Sequence, residues 1–336
     1  MKNQEEFNIE IAEFCKNYNF YVSPDKNRLF CRFYGSIGKA AGLPDSLIKP
    51  LETIICYLCT TLHEWDDIVE KEGLNDGNYR IFIERIMKSS IDKSVREISL
   101  SGELFDNICK SSMEKIYEYF LLEEEAMKFI SSEELILTLL EKGNCDFEFY
   151  NDIFFTLLKE DFIEDLASFL ENYLIADLIA DHITDLKEDI ENFSYNPLLL
   201  LYRFRKGQNS SYKETCKVLS KEDPYQTLCK DKIMEWFSLL AHKEIKEARK
   251  KLEHINVHDT AKKENLSSRH ALRVTRHDSH TIKNLLSLYL EGISQGFTLF
   301  KKYDYLTWMD RDKRDSCIKL LLKPHPWERF SLNDIG

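Results

Sequence analysis

This chain predicts an all-α fold, and three observations carry the prediction. Apolar residues recur at i, i+3, i+4 and i+7 along almost its whole length, which is the spacing of one helix face. Gly (11) and Pro (7) are scarce in 336 residues, against average usage of about 7% and 5%. Leu, Ile, Glu and Lys abound, and these favour helices over sheets and turns.

Taken in order, the periodicity predicts helices over 4–17, 46–71, 77–90, 113–129, 132–142, 147–159, 161–192, 196–205, 228–253, 278–301 and 312–322. The second of these holds the apolar run "TIICYLCTTL" and then turns acidic in "LHEWDDIVEKE". The stretch 161–192 is the longest, and it too changes character along one face. Between the helices, "RKGQNSSYKETCKVLSKEDPY" from Arg205 and "HINVHDTAKKENLSSRH" from His254 read as loops from their Ser, Asn, Lys and Gly content, with room for a short helix in the first. Residues 323–336 read as an irregular tail. No composition shift divides the chain cleanly, so composition allows one large helical domain or two.

Charge and cysteine content narrow the function classes. With 46 basic and 58 acidic residues, net −12, the chain is a poor candidate for nucleic acid, whose binders neutralise phosphates with basic patches. Nine cysteines, without zinc-ligand spacing or a secretory signal, suit a reducing cytoplasm. Cys56 and Cys59 form a CxxC, but within an apolar run they read as core residues. No targeting peptide and no apolar run of the ~18 to 20 residues of a membrane span is read, so a cytoplasmic protein, not integral to a membrane, is expected.

The chemistry sits in two acidic stretches. In "LIADHITDLKED", Asp181, Asp185 and Asp189 follow one another four apart, so at about 100° per residue they drift only about 40° per step and project from one side of a helix. Towards the N-terminus that line continues through Ile163, Ala167, Leu170, Leu174 and Leu178. A face that is greasy and then acidic suits an apolar cavity with an anionic mouth. Like charges in a partly dehydrated mouth repel and call for cations, and Mg²⁺ is commonly held by a few carboxylates together with substrate phosphates. The second stretch places Asp66 and Glu70 one turn apart, beside Asp67 and Glu64, beyond Ile55, Cys59 and Leu62. Both helices show the same switch from apolar to acidic.

The pairing of "DDIVE" with "DHITDLKED" resembles the two aspartate-rich motifs of class I isoprenoid synthases. Within them the chain is most similar to the bacterial large terpene synthases of the tetraprenyl-β-curcumene synthase type. Asp181, Asp185, Glu188 and Asp189 match that family's second motif, and Glu64, Trp65, Asp66 and Asp67 its first. "HTIKNLLSLYL", from His280, looks like its later His-containing helix, and "LFCRFYGS" is a fainter echo of its N-terminal stretch. The Gly-Gly-Asp segment that follows the family's second motif is "ENFSYN" here.

The resemblance implies that 1–336 is a single large helical bundle with a central apolar cavity. It implies a Mg²⁺-dependent terpene synthase, using three ions, that ionises a prenyl diphosphate, releases diphosphate and forms a linear or cyclic terpene. Asp66, Asp67, Glu70, Asp181, Asp185 and Asp189 would hold metal, and Asp66, Asp185 and His280 would be the catalytic groups. Arg203, Arg205, Arg276 and Lys283 are the candidate diphosphate partners; Trp65, Leu174 and Leu178 would line the cavity. A prenyltransferase or squalene- and phytoene-like synthase of the same fold, or a non-catalytic acidic scaffold, are the alternatives.

Overall fold

The computed structural model describes residues 34–35, 37–38, 43–87, 95–98, 102–129, 132–158, 160–207, 210–255 and parts of 283–297. No strand occurs among the described residues, so the all-α prediction holds for them. The predicted helices at 4–17 and 312–322, and the tail, lie outside the described residues.

Among the described residues eleven bounded helices follow in chain order: α1 (Asp45–Glu72), α2 (Asp76–Met87), α3 (Gly102–Lys128), α4 (Glu133–Lys142), α5 (Cys145–Phe155), α6 (Glu160–Thr184), α7 (Leu186–Asn192), α8 (Pro197–Lys206), α9 (Tyr212–Leu219), α10 (Pro224–Lys230) and α11 (Ile233–His254). Further helical residues occur between 283 and 297. Leu286, Leu290, Ile293 and Phe297 there are buried, at the three- and four-residue spacing that predicted a helix.

Local chemistry sets most of the ends. Gly73, at φ 75°, closes α1 through a bond from its N–H to the Val69 carbonyl, a conformation that favours glycine. Asn75 Oδ1 then accepts from the backbone of Gly77 and Asn78 at 3.0 Å to open α2. Ser132 caps α4, and Asn196 caps α8 with Pro197 in the first turn. Ser211 and Glu214 form a reciprocal capping box that starts α9 inside the stretch predicted as loop. Asp223 and Pro224 likewise start α10.

The core is organised around α6. It packs along α11 and also meets α4, α5, α7 and α8. Accordingly it is apolar on most sides: Leu166, Phe169, Ala176, Ile179, Ala180 and Ile183 are all fully buried. On the other side of α5, α3 packs against it, and α1 joins α5 and α2. Six described cysteines are free and all but Cys56 are buried, in keeping with the core reading of the CxxC. No helix among the described residues is long and apolar enough to cross a membrane.

One predicted helix is corrected. The stretch 161–192 breaks at Asp185, so that α6 and α7 are separate. The cause is a set of side chains that claim the last carbonyls of α6. Thr184 Oγ1 donates to the Asp181 carbonyl at 2.7 Å, Asn196 Nδ2 to that of His182 at 2.8 Å, and Tyr225 Oη to that of Ile183 at 2.9 Å. Insertion of side chains into the helical ladder is a recognised origin of such breaks.

Candidate active site

Both acidic motifs lie where helices end. Asp66, Asp67 and Glu70 occupy the last two turns of α1 and Asp181 the last turn of α6, while Asp185 is the N-cap of α7 and Asp189 lies in its first turn. A helix C-terminus carries the negative end of the macrodipole, where an anion is disfavoured by about 0.3 to 1 kcal/mol and a cation favoured. Asp66, Asp67, Glu70 and Asp181 thus stand at helix ends that disfavour an anion, while Asp185 and Asp189 stand at the start of α7, which favours one. Asp181 and Asp185 are exposed and Asp66 is half-buried; the side chains of Asp67 and Glu70 lie outside the described residues.

Asp66 faces the start of α5. Burial, with smaller contributions from the charges of Asp66 and Glu148, holds the Asp146 carboxyl up at about 7, against the pull of backbone N–H groups, among them that of Phe147, from which its Oδ1 accepts at 2.8 Å. Asp146 itself sits in the first turn of α5, where the helix dipole favours an anion. A second carboxylate thus lies near the first motif.

Polar groups continue from there towards the second motif. Burial and then neighbouring carboxylates, Glu123 among them, raise the Cys145 thiol, and Glu123 also adds to burial in pushing the Tyr119 phenol well above its usual range. Tyr195 neighbours Tyr119 and is raised by burial and by Glu123. Its ring stands edge-on to His182 at 5.6 Å. Burial alone pushes His182 down to about 3, leaving a neutral imidazole whose Nε2 is enclosed without a hydrogen-bond partner. Gly143 allows this close approach: a Cβ there would fall 2.5 Å from Leu178 Cδ2 and 3.0 Å from Tyr119 Oη. Two polar groupings result: Asp66 with Asp146 beside the end of α1, and Glu123, Tyr119 and Tyr195, whose ring meets His182 in the last turn of α6.

Asp189 is half-buried, with Oδ2 accepting from Asn196 Nδ2 at 2.7 Å. Its charge also reaches Tyr212 and Cys216. Leu174 is buried and Leu178 half-buried, both on the inward side of α6.

Several residues expected at the site serve the fold instead. Trp65 is 2% exposed and stacked on Phe82 at a centroid distance of 4.3 Å, with Phe120 edge-on at 5.1 Å, so it is a core residue between α1, α2 and α3. Arg203, also 2% exposed, donates to the carbonyls of Met127 and Ser210 and lies over the Tyr212 ring. A guanidinium so enclosed caps the end of α3 and is not a surface charge awaiting diphosphate. Arg205 pairs with Glu133 at 3.0 Å and donates to the Lys232 carbonyl. Lys283 donates to the Glu253 carbonyl at the end of α11. Arg276 and His280 lie outside the described residues.

Sequence reasoning missed Asp177, Asp146, Glu123, Tyr119, Tyr195 and Asn196. Asp177, buried in α6, stands four residues before Asp181, and the spacing that singled out the later aspartates extends to it. Tyr119 and Glu123 stand one turn apart on α3 and Tyr195 and Asn196 are adjacent, but Asp146 is on α5 and no spacing links the three places.

Mg²⁺ tends to use one or two carboxylates, with waters and phosphates completing its shell. No group of three or more His, Cys, Asp or Glu among the described residues forms a ready metal cage. The exposed Asp181 and Asp185, and Asp66 beside Asp146, are hard oxygen donors of the number such an ion uses. The donor chemistry therefore fits.

The chain matches no known family model, no curated protein and no solved structure.

Proposed function

We propose that the chain is a Mg²⁺-dependent isoprenoid synthase that ionises a prenyl diphosphate and forms a terpene. The observations that support this reading are the carboxylate runs at the end of α1 and across the α6–α7 break, with the charge of Asp66 felt by Asp146. Asp66, Asp67, Glu70 and Asp181 lie at helix C-termini, where a cation is favoured over an anion. Departures of this kind from local rules concentrate at functional sites.

Asp66, Asp67 and Glu70 on one side, and Asp181, Asp185 and Asp189 on the other, would hold the ions. Bound Mg²⁺ would supply Lewis-acid neutralisation of the departing diphosphate, worth several kcal/mol. The apolar faces that lead to these carboxylates, with Leu174 and Leu178 on α6, would exclude water from the prenyl chain. Arg205 and Lys283 remain candidate diphosphate partners, on condition that they leave their present partners; Arg276 and His280 keep the roles the resemblance implies. Arg203 and Trp65 are assigned to the fold.

The test is diphosphate release from geranyl, farnesyl, geranylgeranyl and longer prenyl diphosphates with Mg²⁺, followed by extraction of products. A hydrocarbon or alcohol from one substrate is expected. A longer diphosphate formed only when isopentenyl diphosphate is added would assign chain elongation instead. Asp185→Asn is expected to lower turnover at least about a hundredfold, since several kcal/mol of metal assistance is at stake and each 1.36 kcal/mol is tenfold, with the circular dichroism unchanged. Full turnover in that variant would remove Asp185 from the mechanism.

A further inference from the structure

Asn196 is fully buried, and an amide in that position costs free energy unless its donors and acceptor are used. All are used, on three elements. Oδ1 accepts from the Leu198 N–H at 3.0 Å and so caps α8. Nδ2 donates to the His182 carbonyl at the end of α6 at 2.8 Å and to Asp189 Oδ2 on α7 at 2.7 Å. Capping α8 requires only the oxygen. The nitrogen does something else: it ties the Asp189 carboxylate on α7 to the end of α6, which carries Asp181, across the break at Asp185.

We infer that Asn196 is a positioning residue of the second acidic motif, setting through Asp189 and the α6 end how Asp181, Asp185 and Asp189 are presented to a divalent ion. The inference rests on the proposed function. Carboxylates that hold metals are commonly themselves hydrogen-bonded, and loss of such an outer partner costs about 10- to 100-fold in metal affinity. Tyr225 and Thr184 assist, because they take the neighbouring carbonyls of Ile183 and Asp181 and keep α7 from continuing α6. Asn196 is the member of the set that touches a carboxylate of the motif.

Two substitutions preserve the cap and remove the tie. Asn196→Asp keeps the shape and an Ncap oxygen, but it loses both N–H donations and sets a carboxylate against Asp189. Asn196→Ser, also a good Ncap residue, is too short to span His182 and Asp189, and it carries the test should the aspartate variant not fold. Ser211→Ala removes a cap from α9 and serves as the control for cap loss alone.

The measurement is calorimetric affinity for inorganic pyrophosphate in saturating Mg²⁺, with Mg²⁺-free buffer as the blank, alongside the melting temperature. Affinity about 10- to 100-fold weaker than wild type is expected for the Asn196 variants, while Ser211→Ala lowers the melting temperature and leaves affinity unchanged. Wild-type affinity in a folded Asn196 variant overturns the positioning role alone. Absence of Mg²⁺-dependent binding in the unaltered chain overturns the proposed function and this inference with it.

Discussion

Trp65→Ala is expected to destabilise the protein by about 3 to 5 kcal/mol, the range for truncating a buried aromatic. Trp65 is 2% exposed and stacks on Phe82 at 4.3 Å, with Tyr79 at 5.8 Å and Phe120 at 5.1 Å, so its loss unpacks three helices together. Aromatic pairs add about 0.5 to 1.5 kcal/mol each beyond the area they bury. The indole Nε1 makes no hydrogen bond, so Trp65→Phe forfeits no polar contact and is expected to recover most of the stability. Urea denaturation followed by circular dichroism checks both. A Trp65→Ala protein as stable as wild type would mean that the side chain lines open space, the role first expected from its place beside the acidic motif.

The second large effect concerns Asp146 and is a matter of pH. Its folded-state value of about 7 lies above the ordinary 3.8. The unfolded chain therefore releases this proton first as pH rises. Stability is fully present below about 3.8 and is lost progressively up to about 7, then stays at the lower level. The interval corresponds to roughly 4 kcal/mol at 1.36 kcal/mol per pH unit, and the partial solvent access of Asp146 reduces the expected loss to about 2 kcal/mol. Asp146→Asn retains an oxygen for the Phe147 N–H and removes the charge. It should stabilise the protein by about 2 kcal/mol at pH 8 and by nothing near pH 4. Denaturation of the two proteins across this range, in chelator, gives the comparison; equal stability at every pH would place Asp146 in water, away from Asp66.

Helices with an apolar face were legible because burial imposes its period on the residues. α1, α2 and α4 run within a few residues of their predicted bounds, and α11 starts five residues after its own. The start of α3 was not legible. It begins at Gly102 rather than near 113, in a segment whose Gly, Asp and Asn weaken the helical signal. α9 and α10 are short and polar and owe their existence to caps, Ser211 with Glu214 and Asp223 with Pro224, which a search for periodicity passes over. The break at Asp185 was invisible for another reason: it is imposed by Asn196 and Tyr225, which meet α6 only once the chain has folded.

The same division holds at the site. Spacing revealed Asp66 and Asp185 because each stands in a run with its fellows. Arg203 was read as a diphosphate candidate because charge does not disclose burial, and it turned inward to satisfy a carbonyl that α3 leaves open; for Trp65 both packing and cavity lining were open, and its stacking on Phe82 favours packing. Asp146 was overlooked because Asp66, whose charge it feels, is far away in sequence, and Glu123 because its influence on Tyr195 and Cys145 crosses between elements.

The account turns on Asp66 and Asp185 acting on one metal-bound diphosphate. The most direct measurement is a double-mutant cycle: pyrophosphate affinity in saturating Mg²⁺ for the unaltered chain, Asp66→Asn, Asp185→Asn and the two together. Groups that share a ligand are expected to couple by about 1 kcal/mol or more, so that the double variant binds more tightly than the product of the single losses predicts. Single losses that multiply in full, or affinity that ignores Mg²⁺, would contradict it.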